Sequence, residues 1–304
     1  MSDERRKRYG LIAGWGKYPL VLARAMKEAG HEVVCLGVLN HADPGLAEIC
    51  DVFAYSGLAR FGAASRFFRR HEVTEATMAG KIFKNMLLQP GFILRQLPDL
   101  YTIRVFAPIF FGRKSNMNND TLLLAVTGAF ERKGIHFLPA TDIAPELLVG
   151  RKLLTRRVPT AAEWSDIRYG WPIARELGRL DIGQVVAVKD GVCLAIEGIE
   201  GTDETAERAS SLNRGPGYTL VKVGKPNQDM RFDVPTFGFE TLKTMVKTGA
   251  NVLAIEADRS IFIERQEELV AFADAHDIAI VSLEESDLAR EEFPFSQGAF
   301  SQGE

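Results

Sequence analysis

Between Glu197 and Thr236 the chain crowds carboxylates and cations together. The stretch opens Glu197-Gly198-Ile199-Glu200-Gly201-Thr202-Asp203, passes through Lys222 and Lys225, and closes Gln228-Asp229-Met230-Arg231-Phe232-Asp233-Val234-Pro235-Thr236. Asp203 and Glu204 are partly what any helix start attracts, because the macrodipole favours acids in the first turn and Thr202 can cap that turn. Glu197 and Glu200 stand earlier, at the end of a strand, where that explanation does not reach. With Asp203 they could hold Mg²⁺ through oxygen ligands. If the closing stretch is extended, alternation puts Asp229, Arg231 and Asp233 on one face. Met230, Phe232 and Val234 then face a core. A half-exposed strand with a solvated charged face would alternate in the same way, but it leaves Lys222, Lys225 and Gln228 beside a carboxylate set without a reason. Cations beside carboxylates suit phosphoanhydride hydrolysis. Cations and a metal neutralise phosphate charge, and a carboxylate positions or deprotonates water.

A second candidate lies near the start. Gly14-Trp15-Gly16 follows a strand and precedes a helix, a place where backbone N–H groups can approach a phosphate or sugar. A tight turn alone would use the same glycines. The dinucleotide fingerprint needs a third small residue three positions on and an acid after the second strand. Pro19 and Cys35-Leu36-Gly37 stand there instead, which argues against a nicotinamide cofactor. The five histidines are scattered without metal spacing, and neither a nucleophile elbow nor a Walker loop is present.

The elements that must carry these residues follow from periodicity. Tyr9–Ala13, Glu32–Leu39, Val52–Tyr55, Thr77–Ala79 and His136–Pro139 read as strands. Lys17–Ala29, Ala63–His71 and Asp120–Lys133 read as helices. Strands and helices alternating in this way imply a parallel sheet with helices on its faces. Ligands gather at the carboxyl ends of such strands, where Gly14, Gly16, Gly80, Lys81 and Thr141 fall. Val149–Ala161 shows no sheet pattern and reads as a linker. Beyond it come a helix to Gly178 interrupted near Pro172, a hairpin over Gln184–Glu197 turning at Asp190-Gly191, and a helix over Asp203–Leu212. Strands then follow at Tyr218–Val223, Val252–Ile255 and Ile278–Ser282, with helices at Gly238–Thr248 and Arg265–His276.

Charge separates the chain further. The net charge is -3, but the last residues, from Glu284 on, hold six acids against Arg290 and so contribute -5. That acidic stretch, ending in Ser-Gln-Gly repeats, reads as mobile. The near-neutral body argues against a large nucleic-acid surface. Ile82–Phe111 is rich in Met, Leu, Phe and Ile, with Lys84, Arg95, Arg104, Arg113 and Lys114 interleaved or flanking. Such a segment is either buried helical packing or an apolar groove or membrane-surface patch with a basic rim. A homodimer is compatible with it. No apolar run reaches the ~20 residues that span a bilayer. The basic opening, Arg5 to Arg8, lacks the apolar stretch of a signal peptide. Cys35, Cys50 and Cys193, without CxxC spacing, fit reduced thiols in the cytoplasm.

Leu11-Ile12-Ala13-Gly14-Trp15-Gly16-Lys17-Tyr18-Pro19, Leu180-Asp181-Ile182-Gly183-Gln184, the Glu197–Asp203 motif and the run from Lys225 to Pro235 together resemble the UDP-2,3-diacylglucosamine pyrophosphatases of the Caulobacter type. The resemblance covers about residues 9 to 283. It implies hydrolysis of UDP-2,3-diacylglucosamine to lipid X and UMP in lipid A biosynthesis. It also implies dependence on Mg²⁺, with Mn²⁺ as an alternative, and a substrate held between two domains. The family's catalytic aspartate maps to Asp233. Asp229 and Arg231 are catalytic candidates beside it, and Glu197, Glu200, Asp203 and Asp233 are the metal candidates. Gly14, Gly16, Lys17, Gly80, Lys81, Asp120, Thr141, Gln184, Thr202, Lys222, Lys225 and Gln228 are the substrate-binding candidates. The family's Gly-Asp-Asp before the central helix stands here as Asn118-Asn119-Asp120, which keeps only the last position. The expected fold class is α/β: an N-terminal Rossmann-like domain over 1–150, a linker over 151–163, a catalytic mixed α/β domain over 164–283 and an acidic tail over 284–304. The apolar segment suits two acyl chains, each buried CH₂ contributing roughly 0.8 kcal/mol. A diacylated product places the protein on the cytoplasmic face of the inner membrane as a peripheral protein. A lipid carrier would share the apolar segment but release no UMP, and a nicotinamide oxidoreductase would share only the sheet.

Overall fold

In a computed structural model, residues 6–80, 98–111, 119–226, 230–231 and 234–295 are described, without the side chains of 108–111 and 119–123. Lys81, residues 82–97, Asn118, Gln228, Asp229, Asp233, the end of the tail and the side chain of Asp120 lie outside that description. The chain divides into two units, one running to Leu147 and the other starting at Leu148, with Met230 and Arg231 grouped with the first.

The first unit begins with β1 (Arg8–Ala13), whose apolar run is buried along most of its length. The same is true of β2 (Glu32–Val38). Such continuous apolar runs mark strands covered on both faces. With β3 (Val52–Ser56), β4 (Glu75–Ala79) and β5 (His136–Phe137) they form one parallel sheet in the order β3-β2-β1-β4-β5. The order reverses direction between β1 and β4, which makes their carboxyl ends the switch point. Helix α1 (Tyr18–Glu28) covers one face. Its Leu22 and Met26 pack with Leu11, Val33 and Cys35. A short α2 (Leu46–Ile49) adds Leu46 to that layer. On the other face, α3 (Phe61–Arg70) contributes Phe68 and α5 (Asn119–Glu131) contributes Phe130, packed with Val34, Leu36 and Phe137. Helix α4 (Leu100–Phe111) lies against α3, where Asp99 accepts from Ala63 N at 2.9 Å and the Phe61 and Phe106 rings meet at a tilt of 41°. A short α6 (Ala140–Ile143) follows β5.

The second unit is built on a six-stranded mixed sheet in the order β6-β13-β11-β9-β7-β8, with β6 at Lys152–Leu153. β9 (Thr219–Lys222), β11 (Val252–Glu256) and β13 (Ala279–Leu283) run parallel. The hairpin β7 (Val185–Lys189) and β8 (Val192–Ile196) joins antiparallel to β9, turning at Asp190 and Gly191, both with positive φ. Alternate residues of β7 serve opposite faces, as a period of two requires. Val185 and Ala187 join the core under α8 (Thr202–Leu212), α9 (Phe239–Thr248) and α10 (Gln266–Ala275). Val186 and Val188 join Trp164, Ile167 and Trp171 of α7 (Ala161–Arg179). A two-stranded parallel pair, β10 (Thr236–Phe237) and β12 (Ile261–Phe262), lies apart from the large sheet.

Four expectations are corrected. The stretch read as a linker forms β6 (Lys152–Leu153), which pairs antiparallel with β13. Thr160 and Glu163 then close a capping box that starts α7. Helix α7 runs unbroken through Pro172. Pro172 is exposed, so its missing hydrogen bond falls on the solvent side while Trp171 and Ala174 hold the buried side. Met230 and Arg231 lie in a turn, not in an extended strand. Finally, the first part of the acidic tail is packed. Asp287 is buried and takes a bidentate pair from Arg151 at 2.8 and 2.6 Å, while Phe293 packs edge-on against Trp164. Burial acts to raise the Asp287 carboxyl, but Arg151 and the Glu284 N–H outweigh it and hold the group below its ordinary value. Among the described residues, no helix is long and apolar enough to cross a membrane.

Candidate active site

Each unit presents candidate residues at the carboxyl ends of its parallel strands. In the first unit, Gly14 follows β1 and donates its N–H to Ala79 O at 2.8 Å, which locks the ends of β1 and β4 together. Gly80 follows β4 with φ +91°, and a Cβ there would stand 2.8 Å from Trp15 O and 2.9 Å from Gly14 C. Only glycine lets the two turns approach this closely. Gly14 and Gly80 therefore meet at the switch point, beside the half-exposed Trp15, and Gly16 follows two residues on with φ +103°. Lys17 is exposed at the start of α1, and its carbonyl accepts from Leu20 N at 3.0 Å. Thr141 is buried in α6, beyond the end of β5. In the described part of the apolar segment, Leu100 and Ile103 are exposed one turn apart on α4.

In the second unit, antiparallel pairing puts the start of β7 and the end of β8 beside the end of β9. Val185 is opposite Lys222, and Val186 is opposite Ile196. Gln184 just before β7, Glu197 just after β8 and Lys222 at the end of β9 are thereby gathered, and Thr202 joins them from the first turn of α8. Glu197 is buried. Its Oε2 accepts from Gln184 N at 2.8 Å, and its Oε1 accepts from the Thr202 hydroxyl at 3.1 Å. Lys222 is buried as well. Its Nζ donates to Thr236 O at 2.8 Å and, over a longer 3.4 Å, to Thr202 Oγ1. The side-chain Oε1 of Gln184 is buried without a hydrogen-bond partner among the described residues.

Glu200 turns elsewhere. It pairs with Arg208 and accepts from Gly198 N at 3.1 Å. Its own backbone N–H, then Arg208, hold its carboxyl below the ordinary range. Asp203 is half-buried next to Thr202. Lys225 pairs with Asp181, and its carbonyl accepts from Arg259 Nη1 at 3.2 Å. Arg231 is half-buried in its turn. Among the described residues no three His, Cys, Asp or Glu side chains gather into a metal cage. The oxygen donors present are of the hard kind that Mg²⁺ accepts. However, both oxygens of Glu197 are engaged by the protein, and Glu200 faces Arg208. Asp203, half-buried beside Thr202, is the remaining metal candidate among the described carboxylates.

Sequence reasoning missed a second network on the same edge. Arg175 of α7 binds Glu256, at the end of β11, through Nη1 at 3.2 Å and Nη2 at 2.8 Å, and reaches Glu285 at 3.1 Å. Glu256 Oε2 also accepts from Gly224 N at 2.8 Å, which pins the chain leaving β9. The available signal was an acid closing an otherwise apolar parallel strand.

Residues 8–147 match the family model of the LpxI N-terminal domain, and residues 150–281 match that of the LpxI C-terminal domain. The chain belongs to the LpxI family. It is 31% identical over 277 residues to the UDP-2,3-diacylglucosamine pyrophosphatase LpxI of Caulobacter vibrioides, which covers 88% of this chain and 94% of that protein. The LpxI domain matches meet between Leu147 and Gly150, where the structure passes from one unit to the other. The Glu197–Thr202–Lys222 group lies wholly within the part that matches the LpxI C-terminal domain.

Proposed function

We propose that this protein hydrolyses the pyrophosphate bond of UDP-2,3-diacylglucosamine, releasing UMP and 2,3-diacylglucosamine 1-phosphate (lipid X) in the lipid A pathway. The observation that carries this is family membership over both domains, with a relative of that named activity matched along nearly its whole length. In the reaction, water adds to one phosphorus, the bond to the bridging oxygen breaks, and the water's proton leaves. Asp233 positions or deprotonates that water, with Asp229 and Arg231 as further catalytic candidates. Lys222 and Lys225 offset phosphate charge at the carboxyl edge of β9. Gln184 and Thr202 contact the substrate from the same edge. Gly16 and Gly80 offer main-chain N–H groups to the nucleotide sugar at the switch point of the first unit, where Gly14 holds the end of β1 against β4, with Lys17, Lys81, Asp120 and Thr141 nearby in sequence or topology. Asp203 and Asp233 are the residues that would hold Mg²⁺, with Mn²⁺ as an alternative. When bound, the ion neutralises charge on the phosphoanhydride.

The protein works as a peripheral protein on the cytoplasmic face of the inner membrane. The exposed Leu100 and Ile103 support contact with acyl chains or a lipid surface. The decisive experiment incubates the protein with UDP-2,3-diacylglucosamine and Mg²⁺ and follows UMP. The expected result is steady release that EDTA abolishes and added Mg²⁺ restores. Tight retention of the diacylated ligand without UMP would establish a carrier and refute hydrolysis.

A further inference from the structure

We propose that Glu197 is a positioning residue that sets the Lys222 ammonium through the hydroxyl of Thr202. This rests on the hydrolase reading above and deepens it. The directions of the hydrogen bonds carry the inference. Glu197 accepts twice, from Gln184 N and from Thr202, so it works as an ionised carboxylate. The Thr202 proton is committed to Glu197, which leaves the oxygen lone pairs of Thr202 facing the donor Lys222 Nζ. Thr236 O holds the same ammonium from a different strand. Glu197 and Lys222 are both buried. Buried charges are costly unless compensated, and here one hydroxyl relays between the two. A fixed ammonium is worth more to an anionic substrate than a mobile one, because no reorganisation is needed when charge develops. Each member comes from a separate place: the residue after β8, the first turn of α8, the end of β9 and the residue before β7. The group therefore ties the carboxyl edge of the sheet to the first turn of α8.

The test is a double-mutant cycle on the full-length chain with Glu197→Gln and Thr202→Val, with Thr202→Ser as the conservative replacement. Glutamine cannot accept from both donors without turning its NH₂ toward one of them, and valine keeps the shape of threonine without the hydroxyl. Each variant is expected to lower kcat for UMP release about 10- to 100-fold, as loss of a charge-assisted hydrogen bond implies. The double variant should fall no further than the worse single one. Thr202→Ser should recover to within about threefold of the parent chain. The Mg²⁺ concentration for half-maximal rate should stay put in all of them.

Independently of turnover, ¹⁵N-lysine NMR should show one slowly exchanging ammonium in the parent chain. That signal should be lost in Glu197→Gln and in Thr202→Val and kept in Thr202→Ser. Additive losses would show that Glu197 and Thr202 act independently and overturn the proposal; a Mg²⁺ requirement raised at least about tenfold by Glu197→Gln alone would make Glu197 a metal contact and overturn it too. An ammonium signal that survives both substitutions overturns it as well. If the parent chain releases no UMP, the hydrolase reading fails by itself, and the NMR comparison still decides whether Glu197 orders Lys222.

Discussion

Replacing Gly183 with alanine should damage the candidate site from behind. Gly183 is buried just before β7, facing the residue that leaves β8. A methyl group there would fall well inside contact distance of Glu197 O, 2.8 Å from its carbonyl carbon and 3.0 Å from its Cβ. Carbon atoms in contact prefer about 3.5–4.0 Å. The obstructing atoms are mostly main chain, so no rotamer change relieves them. The same residue donates its N–H to Val185 O at 2.8 Å and takes Gln184 N on its carboxylate at 2.8 Å. Relief must therefore open the hairpin or break the carboxylate bond. Overpacking costs about 1–3 kcal/mol, and a lost hydrogen bond to a charged group about 1.5–3 kcal/mol. Together about 3–5 kcal/mol is expected. For a unit of about 150 residues that lowers the melting midpoint by roughly 6–20 °C. Gly215→Ala is the matched control, because its new methyl meets nothing within 4 Å. It should stay within about 2 °C of the parent chain. Thermal unfolding followed by circular dichroism, together with UMP release at a temperature where both variants are folded, reads both effects. If Gly183→Ala melts with Gly215→Ala and turns over at the same rate, the account of the Gly183–Glu197 contact is wrong.

Asp233→Ala should fold normally and release UMP at least ~10³-fold more slowly, the range that general-base and charge terms supply; a near-parent rate would remove Asp233 from the mechanism. Asp287 contributes stability in full above its unfolded value of 3.8 and loses it as pH falls through its lower folded value. Asp287→Asn should therefore destabilise the protein in urea titrations at about pH 6, with the difference shrinking toward about pH 3. Cys50 is partly exposed, and a hydrogen bond from Cys35 lowers its thiol, while the same contact and burial raise that of Cys35. Alkylation followed by mass mapping should modify Cys50 well before Cys35, and the reverse order would contradict that pairing.

The alternation of strands and helices in the first unit was legible because strands covered on both faces are continuous apolar runs, as in Glu32–Val38. The Gln184–Glu197 hairpin was legible from Asp190-Gly191, where both residues do take positive φ. β6 was not, since two residues carry no periodicity and its partner lies in β13, far along the chain. The packed part of the tail was hidden by its own charge. Composition counts Asp287 as a solvated acid, whereas Arg151 makes it a buried anchor. At the site, residue types pointed to Glu197 and Lys222 and the family resemblance added Gln184 and Thr202, and the structure gathers these four. Glu200 has the same chemistry and a neighbouring position, but Arg208 on the next turns of α8 claims it. Spacing shows which groups are near one another in sequence; which partner wins is decided by packing.

The pairing of β6 with β13 also has a consequence for biosynthesis. The parallel sheet of the first unit is complete once His136 and Phe137 have been added, so it can fold while the chain is still being made. The second sheet has its first strand at Lys152–Leu153 and that strand's neighbour at Ala279–Leu283. Arg151 waits for Asp287 across 136 positions. Until the chain beyond Leu283 has left the ribosome, β11 lacks a neighbour on one side and exposes a pairing edge. Contacts this far apart in sequence form slowly, because loop closure must come before any gain from pairing. The second unit, which carries the Glu197–Thr202–Lys222 group, is therefore the late-maturing half of the molecule, and a nascent chain spends its most aggregation-exposed interval with its first half already folded.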